Sequence, residues 1–203
     1  MRACREGEAL FAPGRIERSV ETLDAIRTRR SIGRSEGDVD ERTIRELIEA
    51  AVAAPNHHLT QPWRFTVVRG DARGRLGDLW AARYADETAP AARDAFIEGQ
   101  RAKLLRAPVI VVVSTRTDVD PLRATEDRDA TAAAVENFLL AAHARGLAAA
   151  WRTGRIAADI EVKRFLGLDP SDRIVAFVYL GAQASEAGDV RARSLDDVVR
   201  WID

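Results

Sequence analysis

Positions 109–114 carry a continuous run of mainly β-branched residues, Val-Ile-Val-Val-Val-Ser. A strand with one face in water alternates apolar and polar residues, and this run does not, so it predicts a strand covered on both faces. Residues 174–181, with the sequence Ile-Val-Ala-Phe-Val-Tyr-Leu-Gly, predict a second buried strand. The fold must therefore place other elements on both sides of a sheet that contains these two strands.

The other predicted elements do not alternate regularly along the chain. Residues 63–68 predict a third strand, and apolar spacing with end signals predicts helices, the first two capped by Ser19 and Asp40. These helices are expected at 20–28, from 40 to before Pro55, and at 72–86, 90–105, 130–145 and 158–167. Residues 118–128 predict a polar loop, 148–151 a short apolar segment, and 194–203 a tail with helix-like spacing. This order indicates an α+β sandwich.

Composition narrows the class of protein. The 31 basic and 32 acidic side chains give a net charge of −1, so no overall positive field would recruit nucleic acid or an anionic membrane. No apolar stretch is long enough to span a bilayer, and the first residues lack a signal-peptide block. The single cysteine, Cys4, cannot form an intramolecular disulfide. We therefore expect a cytoplasmic protein with an N-terminal tail or arm at 1–18 and one domain at 19–203.

Three polar clusters lie at the ends of predicted elements. The first reads Arg-Thr-Arg-Arg-Ser at 27–31, where the first predicted helix ends. Guanidinium forks and a hydroxyl suit a phosphate group. The alternative is a solvated helix end whose cations compensate the helix dipole, and spacing alone favours that alternative.

The second cluster is the loop at 55–63, Pro-Asn-His-His-Leu-Thr-Gln-Pro-Trp. Its amide, imidazole and hydroxyl groups could hydrogen-bond a ligand that has both donors and acceptors. Alternatively, Asn56 caps the preceding helix and Gln61 satisfies loop backbone groups. No G-x-S-x-G elbow supports a nucleophilic triad. A metal site at the paired imidazoles is disfavoured because the sequence places no carboxylate beside them.

The third cluster is Trp-Arg-Thr-Gly at 151–154, directly after an apolar segment. The indole and guanidinium groups could cover a planar ring, and the glycine would allow close approach of the backbone. The alternative is a strand end with Trp151 in the core and Arg152 in solvent. No P-loop and no G-x-G-x-x-G follows a strand, and no carboxylate pair is placed as general acid and base. An enzyme without such groups usually takes its chemistry from a cofactor.

Taken in order, these clusters resemble motifs of the nitroreductase family of flavin-dependent oxidoreductases. Residues 29–32 (Arg-Arg-Ser-Ile) are similar to its opening motif, and 54–63 to its Ala-Pro loop that ends in Gln-Pro-Trp. Residues 146–154 resemble the Gly-Leu and Trp-Arg-Thr-Gly of its small, single-domain branch, and 166–181 its last core strand. The loop at 56–60 differs from the Ser-Ser-x-Asn of many larger relatives, so their substrate range is not carried over.

The resemblance implies a three-layer sandwich, with a mostly antiparallel sheet flanked by helices, and an intertwined homodimer that holds FMN at two interface sites. The residues implied to bind FMN are Arg29, Arg30, Ser31, His57, Gln61, Trp151, Arg152, Thr153, Arg191 and Arg193. Residues 29–31 and the basic pair at 191 and 193 would bind the phosphate. His57 and Gln61 would reach the flavin of the partner chain, and 151–153 would line the flavin of their own chain.

The function implied is transfer of hydride from NADH or NADPH to small acceptors such as nitroaromatics or quinones. Hydride would pass at the flavin N5, so neither a catalytic side chain nor a metal is required. Two alternatives remain open at this point. One is another flavin reaction on the same fold, such as reductive dehalogenation or oxygen-dependent flavin breakdown. The other is a flavin-binding protein without turnover.

Overall fold

A computed structural model of the chain describes residues 21–87, 89–183 and 194–202. The predicted arm at 1–18, the predicted cap Ser19 and the basic pair Arg191 and Arg193 lie outside these residues. The described elements are α1 (Thr22–Thr28), β1 (Ser35–Glu36), α2 (Glu41–Val52), β2 (Trp63–Arg69), α3 (Asp71–Tyr84), α4 (Arg93–Leu104), β3 (Val109–Thr115), α5 (Pro121–Ala144), β4 (Leu147–Arg152), α6 (Ile160–Phe165) and β5 (Arg173–Gln183).

The strands form one antiparallel sheet in which β5 is central. β5 pairs with β3 along one edge and with β4 along the other, and β2 extends the sheet beyond β3. The short β1 pairs with the end of β5, with Ser35 opposite Gln183. The sheet thus has β2 and β4 as its outer strands.

Helices cover both faces of this sheet. All seven residues of β3 are buried, and neighbouring residues point into different cores. Val111 packs in one core with Leu47 of α2 and Phe138 of α5, whereas Ile110 packs in the other with Leu76 of α3. The predicted α+β sandwich, with three layers and two strands covered on both faces, is confirmed.

Helix α2 forms where its end signal and its apolar spacing predict it. The Asp40 carboxylate accepts a hydrogen bond from the Thr43 amide at 2.8 Å, which caps the first turn. Ile44, Leu47 and Ala51 lie at helical spacing and are all buried. This stripe holds α2 against the sheet and fixes where the loop after it begins.

Helix α5 corrects the prediction of a polar loop at 118–128. The helix begins at Pro121, because the Asp120 carboxylate accepts from the Leu122 amide at 2.9 Å and proline suits the first helical position. Its first turns are polar, which obscured the apolar spacing. Its end agrees with the prediction, since Gly146 follows it with a φ of 71°.

The helix-like spacing at 194–203 does not produce an α-helix in the described part of this segment. Only a 3₁₀ turn at Leu195–Asp197 forms, and Trp201 is 84% exposed. An apolar face stabilises a short helix only when it packs on something, and residues 194–202 belong to neither of the two cores that the described residues form. The predicted helix at 158–167 is also shorter, at Ile160–Phe165. Within the described residues, no helix is long and apolar enough to cross a membrane.

Candidate functional site

The segment that follows α1 lies against strand β4. The Ile32 amide donates to the Ala149 carbonyl oxygen at 3.0 Å. Beyond it, the guanidinium of Arg152 lies over Gly33, so closely that a Cβ at position 33 would collide with Nη2. The segment directly after the first polar cluster therefore meets the third cluster at the end of β4, and Gly33, but none of residues 27–31, lines the cavity that opens beside this junction.

The arginines of the first cluster have different partners. Nε of Arg29 donates to Oε1 of Glu136 on α5 at 3.1 Å, so its charge is compensated. Nη1 of Arg30 donates to the carbonyl oxygens of Arg27 at 2.8 Å and Arg29 at 2.9 Å. These two bonds leave other N–H groups of Arg30 for a ligand, and Ser31 is exposed.

A cavity of about 280 Å³ opens next to this junction, between the sheet and helices α3 and α4. Its aromatic lining comes from Trp80, Phe177 and Tyr179. Its cationic lining comes from Lys103, Arg106, Arg152 and Arg155, and none of its described lining residues is a carboxylate. An apolar cavity with a few convergent polar groups is the usual form of a small-molecule site.

The cations of the cavity differ in how far they are compensated. Arg155 makes a bidentate pair with Glu87, with Nη1–Oε2 and Nη2–Oε1 both at 2.8 Å. The hydrogen bond from Arg155 holds the pKa of Glu87 below its usual value. Arg106 and Arg152 have no carboxylate partner among the residues that the structure describes. Their charges are therefore available to an anionic ligand.

Tyr179 faces these two arginines from the sheet. Burial raises the pKa of its phenol to about 12, although the charges of Arg106 and Arg152 act in the opposite direction. The phenol is therefore neutral at physiological pH and cannot compensate either arginine. Arg106 and Arg152 are exposed, so water solvates both cations and an anionic ligand could bind them.

A hydrogen-bonded group on α3 and α4 completes the wall of the cavity, and the sequence analysis missed it. Oε1 of Gln100 accepts from Nε1 of Trp80 and from Nζ of Lys103, both at 3.0 Å. Both helices were identified only as charged and amphipathic. One available signal was composition, because Lys103 and Lys163 are the only lysines in a chain rich in arginine.

Trp151 does not line this cavity, although its neighbours Arg152 and Thr153 do. Its indole packs on the α2–α5 side of the sheet, and Nε1 donates to the Val175 carbonyl oxygen at 3.0 Å. The third cluster is therefore divided between the two faces of β4. Trp151 braces the strand, and Arg152 faces the cavity.

The loop before β2 has a strained backbone. His58, Leu59 and Gln61 have φ values of 57°, 53° and 43°, a region that residues other than glycine adopt at a cost. The Gln61 amide donates to Oδ1 of Asn56 at 3.0 Å, which closes the loop on itself. Strain of this kind persists only where the surroundings hold it, and it is concentrated at functional sites.

Two contacts hold this loop on the first turns of α5. The Thr60 hydroxyl donates to Oδ1 of the buried Asp127, and Nδ1 of His57 lies 3.2 Å from Oε2 of Glu126. The sequence analysis missed both carboxylates because it assigned that segment to a loop. The prediction that no carboxylate lies beside the paired histidines is therefore wrong.

Within one chain, this loop and the pair Arg152 and Thr153 lie at opposite edges of the sheet. The loop leads into β2, whereas Arg152 and Thr153 follow β4, and β3 and β5 lie between these strands. Three inter-strand spacings separate the two edges by roughly 14 Å. The chain therefore brings the segment after the first cluster against the third cluster and keeps His57 and Gln61 apart from both.

Comparison with known proteins gives consistent matches along the chain. The model of the Nitroreductase family matches residues 26–182. YfhC of Bacillus subtilis (strain 168), provisionally named an NAD(P)H nitroreductase, is 30% identical over 173 residues, which cover 84% of this chain and 88% of YfhC. The crystal structure of a nitroreductase-like family protein from Bacillus cereus has a TM-score of 0.80 at 26% identity, covering 93% of this chain and 99% of that one. A provisionally named nitroreductase from Desulfovibrio desulfuricans, solved in complex with FMN, has a TM-score of 0.68 at 29% identity, covering 91% and 98%.

Proposed function

Because the chain belongs to the nitroreductase family, we propose that it is an FMN-dependent oxidoreductase that passes electrons from NADH or NADPH to small acceptors such as nitroaromatics or quinones. The provisional name of YfhC and the FMN bound to the Desulfovibrio desulfuricans relative support this proposal. The described lining of the cavity contains no carboxylate, thiol or imidazole. An enzyme site that lacks these groups usually takes its chemistry from a cofactor.

The residues present fit FMN, which combines a planar ring with a phosphate dianion. The observation that carries the proposal is the pair of arginines, Arg106 and Arg152, which line an aromatic cavity and have no carboxylate partner within residues 21–87, 89–183 and 194–202. Gly33 and Gly154 border the same cavity and present backbone without a side chain. The cavity thus offers cations, flat apolar surface and accessible backbone, which are the three features that a flavin nucleotide requires.

Each cluster has a role in this proposal. Arg30 and Ser31 would bind the phosphate with the donors that their present hydrogen bonds leave free. Arg29 would bind it as well, through the N–H groups of its guanidinium that do not contact Glu136. Arg152 and Thr153 would line the flavin ring, and Lys103 and Arg106 would extend the cationic lining. The role of Arg191 and Arg193 at the phosphate stays a prediction, since both lie outside the described residues.

We further propose that the active form is a homodimer in which the loop at 55–62 reaches the cavity of the partner chain. The separation of roughly 14 Å between the sheet edges supports this arrangement, because His57 and Gln61 cannot contact a flavin beside β4 of their own chain. Apolar side chains that are exposed in one chain also support it. Leu23 and Ile26 on α1 are 62% and 54% exposed, and Trp201 and Ile202 are 84% and 85% exposed.

FMN, when bound, supplies the hydride and electron transfer between nicotinamide and acceptor. The side chains of this protein would bind the cofactor, orient it and hold positive charge beside it. Charges that are already in position before the reaction stabilise the charge that develops in the transition state. Donor and acceptor would use the same open face in turn, so turnover should be ping-pong.

The proposal is tested with tag-free protein reconstituted with FMN. Oxidation of NADH or NADPH should be rapid with menadione and should disappear when the flavin is removed. FMN binding without this oxidation would indicate a flavin-binding protein, and loss of flavin absorbance under oxygen would indicate flavin breakdown. Failure to bind FMN would overturn the proposal.

A further inference from the structure

We propose that His57, His58 and Glu126 form a binding site for a divalent transition-metal ion such as Zn²⁺ or Ni²⁺. One ligand atom from each of the three side chains lies within 4.8 Å of the other two. Imidazole nitrogens and carboxylate oxygens are ligands that Zn²⁺ and Ni²⁺ accept, and two imidazoles with one carboxylate form a recurrent set. The site does not rest on the flavin chemistry proposed above, because a bound ion would take one ring nitrogen of His57 and leave the other for the flavin of the partner chain.

The two imidazoles are already arranged side by side. Their ring centroids are 3.9 Å apart and the ring planes are inclined by 26°. This stacking depends on the backbone of His58, whose φ of 57° turns its side chain back towards His57. An extended backbone would direct successive side chains to opposite sides, so the strained conformation is what brings the two rings together.

The third ligand comes from a different element, which makes the site depend on the fold. Glu126 lies on α5, and its Oε2 is 3.2 Å from Nδ1 of His57. Ligands bound to one tetrahedral Zn²⁺ lie roughly 3.4 Å from each other, given metal–ligand distances near 2.1 Å. The distance between His57 and Glu126 is already close to this value. Imidazole lone pairs lie in the ring plane, so the stacked ring of His58 has to rotate away from that of His57 before both nitrogens point at one ion.

The loop that carries the histidines is fixed independently of these three side chains. The Thr60 hydroxyl bonds Asp127, and the Gln61 amide bonds Asn56. Because the backbone is held by these contacts, binding an ion costs little further ordering of the chain. In the single chain, His57 and His58 are exposed and Glu126 is partly exposed, which leaves room for water at the remaining coordination positions of an ion, as is typical of an open site.

Isothermal titration of Ni²⁺ and of Zn²⁺ into the flavin-loaded, tag-free protein tests the proposal. The background is Cys4→Ser, which removes the one thiol that could bind these ions. We expect one ion per chain, with affinity reduced by about tenfold or more in Glu126→Gln and in His58→Asn. Asparagine is chosen at 58 because it tolerates positive φ, so the loop keeps its shape.

Asp129→Asn is the matched control, because Asp129 borders the same open groove on α5 but is not one of the three ligands. The Asp129→Asn variant should bind both ions with the same affinity as the parent protein. Circular dichroism and the melting temperature establish that each variant is folded. Absence of binding to the parent protein, or equal affinity in Glu126→Gln and His58→Asn, would overturn the proposal.

Discussion

The guanidinium of Arg152 occupies the space that a side chain at Gly33 would otherwise take. This contact joins the segment after α1 to the end of β4 and directs a cation into the cavity shared with Tyr179. The atom in the way is the tip of a flexible side chain. A methyl group at position 33 would therefore displace the Arg152 guanidinium and leave the backbone in place.

Gly33→Ala is accordingly expected to weaken FMN binding without unfolding the protein. Moving the guanidinium removes a charge-assisted hydrogen bond worth about 1.5–3 kcal/mol, which corresponds to a loss of affinity of roughly tenfold or more. Fluorescence titration of the apoprotein with FMN measures this loss.

Gly99→Ala serves as the control, because Gly99 lies within α4 and a Cβ there meets nothing within 4 Å. It should bind FMN like the parent protein and be slightly more stable, since alanine favours a helix over glycine by about 1 kcal/mol. Equal FMN affinity in Gly33→Ala and Gly99→Ala would contradict a role for the position of Arg152.

Arg30→Ala combined with Ser31→Ala should remove most of the FMN from the purified protein. Each residue would contribute a hydrogen bond to the phosphate, at about 1.5–3 kcal/mol for a charged partner. Arg27→Ala, at an exposed arginine of the same helix end, should retain its FMN. The flavin content per chain, measured by absorbance after the flavin is released, distinguishes the double variant from Arg27→Ala. Similar losses of flavin in both would show only that removing positive charge from this helix end weakens binding.

The sequence predicted the strands at 109–114 and 174–181 well, because a continuous apolar run has one stable environment, the covered interior of a sheet. It also identified the first and third polar clusters, but not the contact of Gly33, just after the first, with Arg152 of the third, since that contact depends on how the chain crosses the sheet. The helix start at Pro121 was missed because its first turns are polar. Gln100 and Lys103 were missed because helix periodicity does not separate a cavity wall from a solvated face.

Asp159 links α3 to the turn that follows the cavity residues. Its Oδ2 accepts from Nε of Arg83 at 3.1 Å and from the Tyr84 hydroxyl at 3.2 Å, and its Oδ1 caps α6. Burial alone would raise the pKa of Asp159, but the Val162 amide and these two side chains outweigh it and hold the pKa below its usual value.

Asp159→Asn should lower the free energy of unfolding by about 1–2 kcal/mol at pH 7, since asparagine keeps the cap but loses the charged bond to the half-exposed Arg83. A carboxyl group with a lowered folded-state pKa stabilises the fold above its unfolded-state pKa of about 3.9 and loses this effect as the pH falls through the folded-state value. Urea unfolding should therefore show the difference between variant and parent shrinking below about pH 4.

Asp78→Asn, which removes an exposed ion pair between α3 and Arg101 of α4, should change the free energy of unfolding by less than about 0.5 kcal/mol. If the difference in the free energy of unfolding between Asp159→Asn and the parent stayed constant down to the pH at which acid unfolds the protein, the charge of Asp159 would not stabilise the fold.

Mixed dimers test whether the loop at 55–62 crosses to the partner chain. Gln61→Ala alone should leave the protein yellow and reduce FMN affinity by about tenfold or less, because a neutral hydrogen bond contributes roughly 0.5–1.5 kcal/mol. A heterodimer of one Gln61→Ala chain and one Arg30→Ala chain, isolated with two different tags, should place both lesions in the same site. Half of the flavin content and half of the activity should then survive.

The same heterodimer would behave differently if both motifs served a site within one chain. One site would then lose FMN and the other would turn over slowly, so activity would fall below half. That result would contradict the placement of His57 and Gln61 at the flavin of the partner chain.

The visible spectrum of the tag-free protein under anaerobic conditions tests the central claim most directly. We expect a yellow protein with one FMN per chain, whose flavin absorbance is lost on addition of NADH or NADPH and returns on addition of menadione. A colourless protein that takes up no FMN on titration, or bound FMN that neither nucleotide reduces, would contradict the assignment as an FMN-dependent oxidoreductase.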